Sequence, residues 1–314
     1  MAGYNEMISR AGSGSDPLVP EPYVAEIIQE MPKASAVMSL ARRVPMSAKT
    51  TRQPVLSALP EAYFVSGDSG LKQTSAAEWE NLTLVAEEIA VIIAIPEAYL
   101  DDSAVPVWSE VRPLIVEAFG RRLDRTCLFN ESRPPTWGEA VVNSAIAAGN
   151  QVVEGTGDDI AEEVAELLQT LAEQGANPTG FATAPGFPWR LTRMRSQDGV
   201  PIYAPPAGGQ PGTLFGLPLP QVQNGGWFPT VASLIAGDWT KAILGVRQDM
   251  SFRVFTEGVI SDDAGNVVLN LMQQDSVALR VTGRFAWQIA NPVNPVETDA
   301  ESRSYFGVYT PASS

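Results

Sequence analysis

The sequence predicts an α+β fold, and three stretches carry that prediction. Glu87 to Ile95 is a short apolar run rich in β-branched residues, as expected of a buried strand. Val107 to Phe129 repeats apolar residues at helical spacing over a long segment. Ala242 to Phe255 and Val267 to Ile289 alternate as strands do, with Asp262-Asp263-Ala264-Gly265-Asn266 expected as the turn connecting them.

Each element follows from local chemistry. Gly3, Gly12, Gly14, Pro17 and Pro20 lie among small polar residues, so 1–20 reads as an extended arm. Glu21 to Met31 places Val24, Ile27, Ile28 and Met31 on one helical stripe, and Pro32 closes it. The chain continues through Ser35-Ala36-Val37-Met38 toward Arg42-Arg43-Val44-Pro45. Residues 46–84 lack helical periodicity and scatter Tyr63, Phe64 and Trp79, which fits a long hairpin with its tip at Gly67-Asp68-Ser69-Gly70. An isolated two-stranded hairpin is marginal in water, so this one is expected to rest on a neighbouring subunit.

Pro96 should end the strand before it, since it has no N–H to give a ladder. In the long helix, Val111, Ile115, Phe119, Leu123 and Cys127 recur every four residues, and Leu114 and Ala118 are expected to flank this buried face. Arg112, Arg121, Arg122 and Arg125, interleaved with Glu110, Glu117 and Asp124, fall mostly elsewhere. Pro113 predicts a kink or a fresh helix start, and Arg133-Pro134-Pro135 a stop.

A second helix is capped by Asp158 or Asp159, carries Glu162 and Glu163 in its first turn, buries Ile160, Val164, Leu167, Leu168 and Leu171, and stops at Gly175. Residues 177–235 are rich in Pro and Gly, with strand candidates at Pro201-Ile202-Tyr203 and Leu214-Phe215.

Composition narrows the function. A chain of 314 residues suggests about two domains. Its 26 glycines and 25 prolines suit long defined loops, short of the roughly 25–30% that marks disorder. No apolar run approaches the ~18 residues of a membrane span, and no signal peptide is visible. The single cysteine, Cys127, falls on the apolar side of the long helix and reads as an inert core thiol in a reducing compartment.

The formal net charge is −15. A protein that grips DNA through phosphates would be basic, so only weak DNA binding is expected, with any local attraction from Arg42, Arg43, Arg121 or Arg122. There is no histidine, which removes Ser-His-Asp and Cys-His catalysis and imidazole metal sites.

No catalytic, cofactor or metal residue is assigned. Asp262 to Asn266 lacks the ligand spacing and closing Glu of a calcium loop and reads as a hairpin turn. Ala207-Gly208-Gly209-Gln210 lacks the Lys-Ser/Thr of a phosphate loop. Asp101-Asp102 read as caps or turn formers before a magnesium or acid-base pair. Glu87 and Glu88 point to opposite faces of a strand and cannot share a proton. Trp79, Trp189, Trp227, Trp239 and Trp287 read as packing and interface residues, since no basic groove surrounds them.

Several stretches, taken in order, resemble the major capsid proteins of tailed bacteriophages, the Hong Kong 97-like fold. They are the strand, Pro-Glu break, Leu100-Asp101-Asp102-Ser103 and long helix; Asp198-Gly199-Val200-Pro201-Ile202 with Leu214-Phe215-Gly216-Leu217-Pro218-Leu219; Gly237-Asp238-Trp239 with Ile243-Leu244-Gly245-Val246-Arg247; and Asp275 to Trp287. The resemblance implies an N-terminal arm at 1–45 and an extended loop at 46–84. It implies a peripheral domain built from 85–133, with a spine helix, and from the hairpin at 239–290. An axial domain takes 134–238 and 291–314, including the strand Ser304 to Thr310.

It further implies hexamers and pentamers of an icosahedral virion shell, built in the host cytoplasm around double-stranded DNA, with portal and decoration proteins and no enzyme activity, cofactor or membrane. Little precedes Pro17, so a separate scaffolding protein is expected. Some relatives crosslink a loop lysine to a neighbour's asparagine; Lys72 with Asn266, Asn270 or Asn291 would be the candidates, without specific support. An encapsulin-like compartment shell is the alternative, and a carboxylate-dependent hydrolase the reading from another class.

Overall fold

The computed structural model describes residues 35–62, 64, 74–103, 107–193, 203, 212–262 and 264–312. The expected helix at 21–31, the Gly67–Gly70 turn, Lys72, Pro201-Ile202 and the Ala207–Gln210 loop lie outside the described residues.

The first elements are α1 (Ala36–Leu40), β1 (Arg42–Pro45), β2 (Thr50–Ala58), β3 (Glu78–Val85), β4 (Glu87–Pro96), α2 (Glu97–Asp102) and α3 (Val107–Phe129). Then come α4 (Val141–Ala147), β5 (Gln151–Val153), α5 (Ile160–Glu173), β6 (Gly180–Thr183), α6 (Phe187–Leu191), β7 (Gly212–Leu214), β8 (Leu217–Leu219) and β9 (Leu234–Gly237). The chain closes with β10 (Ala242–Phe255), β11 (Val259–Ser261), β12 (Val267–Asn270), β13 (Ser276–Ile289) and β14 (Phe306–Thr310).

Two four-stranded sheets organise these elements. The first has the order β1-β10-β13-β4, with β1 parallel to β10 and the other pairs antiparallel. Because strand side chains alternate, Val281 and Phe285 of β13 and Ile89, Val91 and Ile93 of β4 pack in the main core with Ile115, Phe119 and Leu123 of α3. Gly283 makes room for the Phe285 ring: a Cβ there would lie 2.7 Å from Phe285 Cε2.

The second sheet has the order β5-β14-β9-β6. Every residue of β6, β9 and β14 is buried, so these strands read as unbroken apolar runs without alternation. Helix α5 covers the sheet so closely that a Cβ on Gly307 would sit 2.8 Å from Leu167 Cδ1. The strands of this sheet come from both sides of β10–β13 in sequence, which is why no linker is visible.

Several expectations are corrected. Pro113 lies inside α3, so no fresh helix starts there. The bounds of α3, Val107–Phe129, are those the sequence indicates, and Asn130 just beyond takes a left-handed φ of 66°. Leu114 and Ala118 are exposed, because a four-residue repeat buries a narrow stripe. The Asp262–Asn266 turn closes the small β11–β12 hairpin, and β10 pairs directly with β13. The strand expected over Val267–Ile289 is therefore two strands. Asp101 and Asp102 occupy the last turn of α2, a short helix between β4 and α3. Within the segment read as the arm, residues 36–45 carry α1 and β1, and β1 lays the end of that segment on the first sheet.

Candidate assembly surfaces

Hydrogen bonds from the rest of the subunit hold the β2–β3 hairpin at its base and, through Leu56, along β2. Ala86 N donates to Lys49 O at 2.8 Å, Gln288 Nε2 to Thr83 O at 3.1 Å, and Val293 N to Leu56 O at 2.9 Å. Beneath it, Met46, Leu84 and Ala86 bury against Ile243, Ala286 and Ala290, a small second core on the sheet face away from α3. Beyond Leu82 the strand is exposed at every position to Glu78, and Trp79 is 67% accessible. On the partner strand Val55 still packs on this small core, so it is the β3 side of the arm, beyond Leu82, that is bare among the described residues.

Sequence reasoning missed the most consequential polar residue. Asp124 was grouped with the solvent-facing charges of the long helix, yet it is 0% exposed. Its Oδ1 accepts from Ser35 Oγ at 2.6 Å and Val37 N at 3.0 Å; its Oδ2 accepts from Ala36 N at 3.1 Å and Asn224 Nδ2 at 2.6 Å. Burial pushes the Asp124 carboxyl up from its usual range, against the pull of these four donors. The group thus ties α1, α3 and the 224–226 loop together. A signal existed: Asp124 falls next to Leu123 and one turn from Cys127 and Leu128, inside the buried arc.

The arginines beside it are also committed. Arg121 Nε donates to Asn224 O at 2.7 Å, Arg125 Nη2 to Gly225 O at 2.9 Å, and Arg43 Nε to Met38 O at 2.8 Å. Arg303, 5% exposed, donates to Asn291 Oδ1, Asn291 O and Glu297 O, so Asn291 is taken up in holding its own loop.

In the second sheet, Asp159 caps α5 by accepting from Glu162 N, as the sequence indicates. Glu163, nearly fully buried, accepts from Gly155 N, Gly157 N and Tyr309 Oη. Burial pushes its carboxyl up, but the bonds from Tyr309, Gly157 and Gly155 outweigh it and hold its pKa below the ordinary 4.5. A depressed folded pKa contributes stability above pH 4.5 that is lost as pH falls through the folded value. Glu163→Gln should therefore cost about 1–3 kcal/mol near neutrality. The gap to wild type should narrow on acidification below pH 4.5, measured by urea unfolding at several pH values.

The remaining candidates fall on packing. Trp227, Trp239 and Trp287 are buried and donate to Ala232 O, Gly180 O and Glu139 O, while Trp79 and Trp189 are exposed. Glu88 pairs with Arg284 at 3.0 Å and Glu87 accepts from Thr136 Oγ1, on opposite faces of β4. Cys127 is buried, and burial with the nearby Asp124 charge pushes its thiol well up, as expected of an unreactive core group. Among the described residues, no group of three Cys, Asp or Glu side chains could hold a metal ion.

The profile described as "Phage capsid family" matches residues 16–297. The major capsid protein of Staphylococcus phage 80alpha is 26% identical over 272 residues, 86% of this chain and 81% of that protein. A solved chain from Microbacterium phage Oxtober96 superposes with a TM-score of 0.84 at 35% identity, covering 94% of this chain and 96% of its own. One from Mycobacterium phage Adephagia gives 0.83 at 29%, covering 95% and 96%.

Proposed function

The chain belongs to the phage capsid family, and from that membership we propose how its parts divide the work of building a shell. It is a major capsid protein of tailed phages with the Hong Kong 97-like fold, and it self-assembles into the capsid of the virion. We assign the first sheet with α3 to a peripheral domain (85–133 and 239–290) and the second sheet to an axial domain (134–238 and 291–314). Residues 1–45 form the arm and 46–84 the extended loop. Hexamers and pentamers close an icosahedral shell in the host cytoplasm, with a separate scaffolding protein, a portal and decoration proteins. Double-stranded DNA is enclosed without sequence-specific contact, and the chain carries no catalytic activity.

The observation that carries this reading is the β2–β3 arm, whose strand β3 is exposed at every position from Asn81 to Glu78 while its partner β2 is only partly buried. Such an arm is stable only when it lies on something, and in a shell that something is the next subunit. Obligate interfaces of roughly 2,000–5,000 Å² would supply the missing burial.

Deleting residues 60–75 tests this. The main core, including Ile115, Phe119, Leu123 and Leu279, is untouched, so a folded, soluble subunit unable to close shells is expected by electron microscopy. Normal particles from the deletion would sink the assignment. A second test concerns DNA. Free subunits should bind duplex only weakly at physiological salt, because few phosphates can be neutralised by a chain of charge −15. Sub-micromolar, sequence-selective affinity in a filter-binding assay would contradict it.

A further inference from the structure

The Asp124 junction contains a reactive pair of residues. Asn224-Gly225 is the one place in the chain where glycine follows asparagine. Glycine puts no side chain in the way of its own amide nitrogen, so that nitrogen can reach the asparagine side-chain carbon and close a five-membered ring. Packing demands both residues. Asn224 supplies the donor to Asp124 Oδ2 at 2.6 Å, and Gly225 takes a φ of 73°, in the left-handed region that favours glycine. A Cβ on the next glycine, Gly226, would lie 2.8 Å from Asn224 Oδ1 and 2.9 Å from Asp124 Cβ. The fold thus keeps a chemically fragile sequence at the point where α1, α3 and this loop meet.

The same contacts hold the reaction off. Ring closure requires the side-chain amide of Asn224 to turn toward Gly225 N. Both ends of that amide are tied elsewhere: Nδ2 donates to Asp124 Oδ2, and Oδ1 accepts from Gly226 N at 2.8 Å. The backbone is pinned as well, because Arg121 Nε donates to Asn224 O and Arg125 Nη2 to Gly225 O. Asn224 is 1% exposed, so water reaches it only when the junction opens. Three of the four donors on Asp124 come from residues 35–37, so the junction is complete only once that segment has docked.

We propose that Asn224-Gly225 is a self-modification site, silent in the closed subunit and active in any subunit whose residues 35–37 have left Asp124. In the open state hydroxide takes the proton of Gly225 N, and the nitrogen bonds to Asn224 Cγ. The Cγ–Nδ2 bond breaks, and the departing group takes up a proton and leaves as ammonia. Water then opens the cyclic imide at either carbonyl, giving aspartate or isoaspartate at position 224. Either product replaces the Nδ2 donor with an oxygen facing Asp124 Oδ2, and two carboxylates at hydrogen-bond distance cannot both ionise. Isoaspartate also lengthens the backbone by one carbon where Arg121 and Arg125 grip it. The reaction runs one way, so a subunit left open too long loses its junction for good.

Peptide mapping of the full-length chain by mass spectrometry, which separates the asparagine, aspartate and isoaspartate forms, tests this. In folded wild type at mildly alkaline pH, Asn224 should convert at least about tenfold more slowly than in denaturing urea, since only the open fraction reacts. Folded Asp124→Ala should convert at least about tenfold faster than folded wild type, because the amide has lost its tether. Where that variant does not fold, wild type in urea below its midpoint carries the test. Conversion should then rise in step with hydrogen exchange at the Ala36 and Val37 amides. Asn224→Asp, which installs one product directly, should exchange faster across residues 36–45 and unfold at a lower urea midpoint. The proposal is overturned by equal conversion in folded and urea-treated wild type, or by none in urea. A folded Asp124→Ala chain that keeps Asn224 intact, conversion that ignores the opening of residues 36–37, or wild-type exchange and midpoint in Asn224→Asp would also overturn it.

Discussion

Phe119→Asp is expected to leave no soluble, folded subunit. The ring is 3% exposed at the middle of α3, in the cluster that holds Ile115, Leu123, Val281 and Phe285. Removing a buried Phe costs about 3–5 kcal/mol in lost burial and cavity formation. An unpaired carboxylate in the same place adds several more, against a total domain stability of about 5–15. Soluble yield and a thermal melt report the outcome. Wild-type behaviour in both would mean that Phe119 faces solvent and that the helix is rotated from the phase described.

Asp124→Ala is expected to destabilise the subunit by about 3–5 kcal/mol, because it strands four donors in the interior. The donors are Ser35 Oγ, the Ala36 and Val37 amides, and Asn224 Nδ2. The isosteric Asp124→Asn should do little better. Either orientation of its amide sets an NH₂ group against a backbone N–H, that of Val37 or of Ala36. The loss should be local first: α1 begins at these amides, so hydrogen exchange across residues 36–45 should accelerate before the rest of the fold opens. Unchanged exchange there, with unchanged denaturant midpoint, would show that the junction contributes nothing.

How much of this was legible before any coordinates depends on the kind of signal. Helix α3 could be bounded from its four-residue stripe, and α5 from Asp159, Glu162 and Gly175, because local periodicity and capping chemistry are written within a few residues. Strands β6, β9 and β14 were harder. Gly180–Thr183 and Leu234–Gly237 are four residues each and buried throughout, so they show no alternation to detect. The β11–β12 hairpin was absorbed into a longer strand because its turn residues gave a turn without saying which strands it joins. Asp124 was misplaced because charge was weighed above phase. Its partners Ser35 and Asn224 lie 89 and 100 residues away, and nothing local announces them.

The strand order of the second sheet has a consequence for the newly made chain. Its β14 sits between β5 and β9, hydrogen-bonded to both, yet it lies more than 150 residues after β5 and follows β13. Chains emerge from the ribosome N-terminus first at about 5–20 residues per second. Until Phe306 to Thr310 have appeared, β5 has no partner and one edge of β9 stays open. Translation thus acts as a timer: a subunit whose synthesis stops short of those five residues keeps open strand edges, which are templates for aggregation.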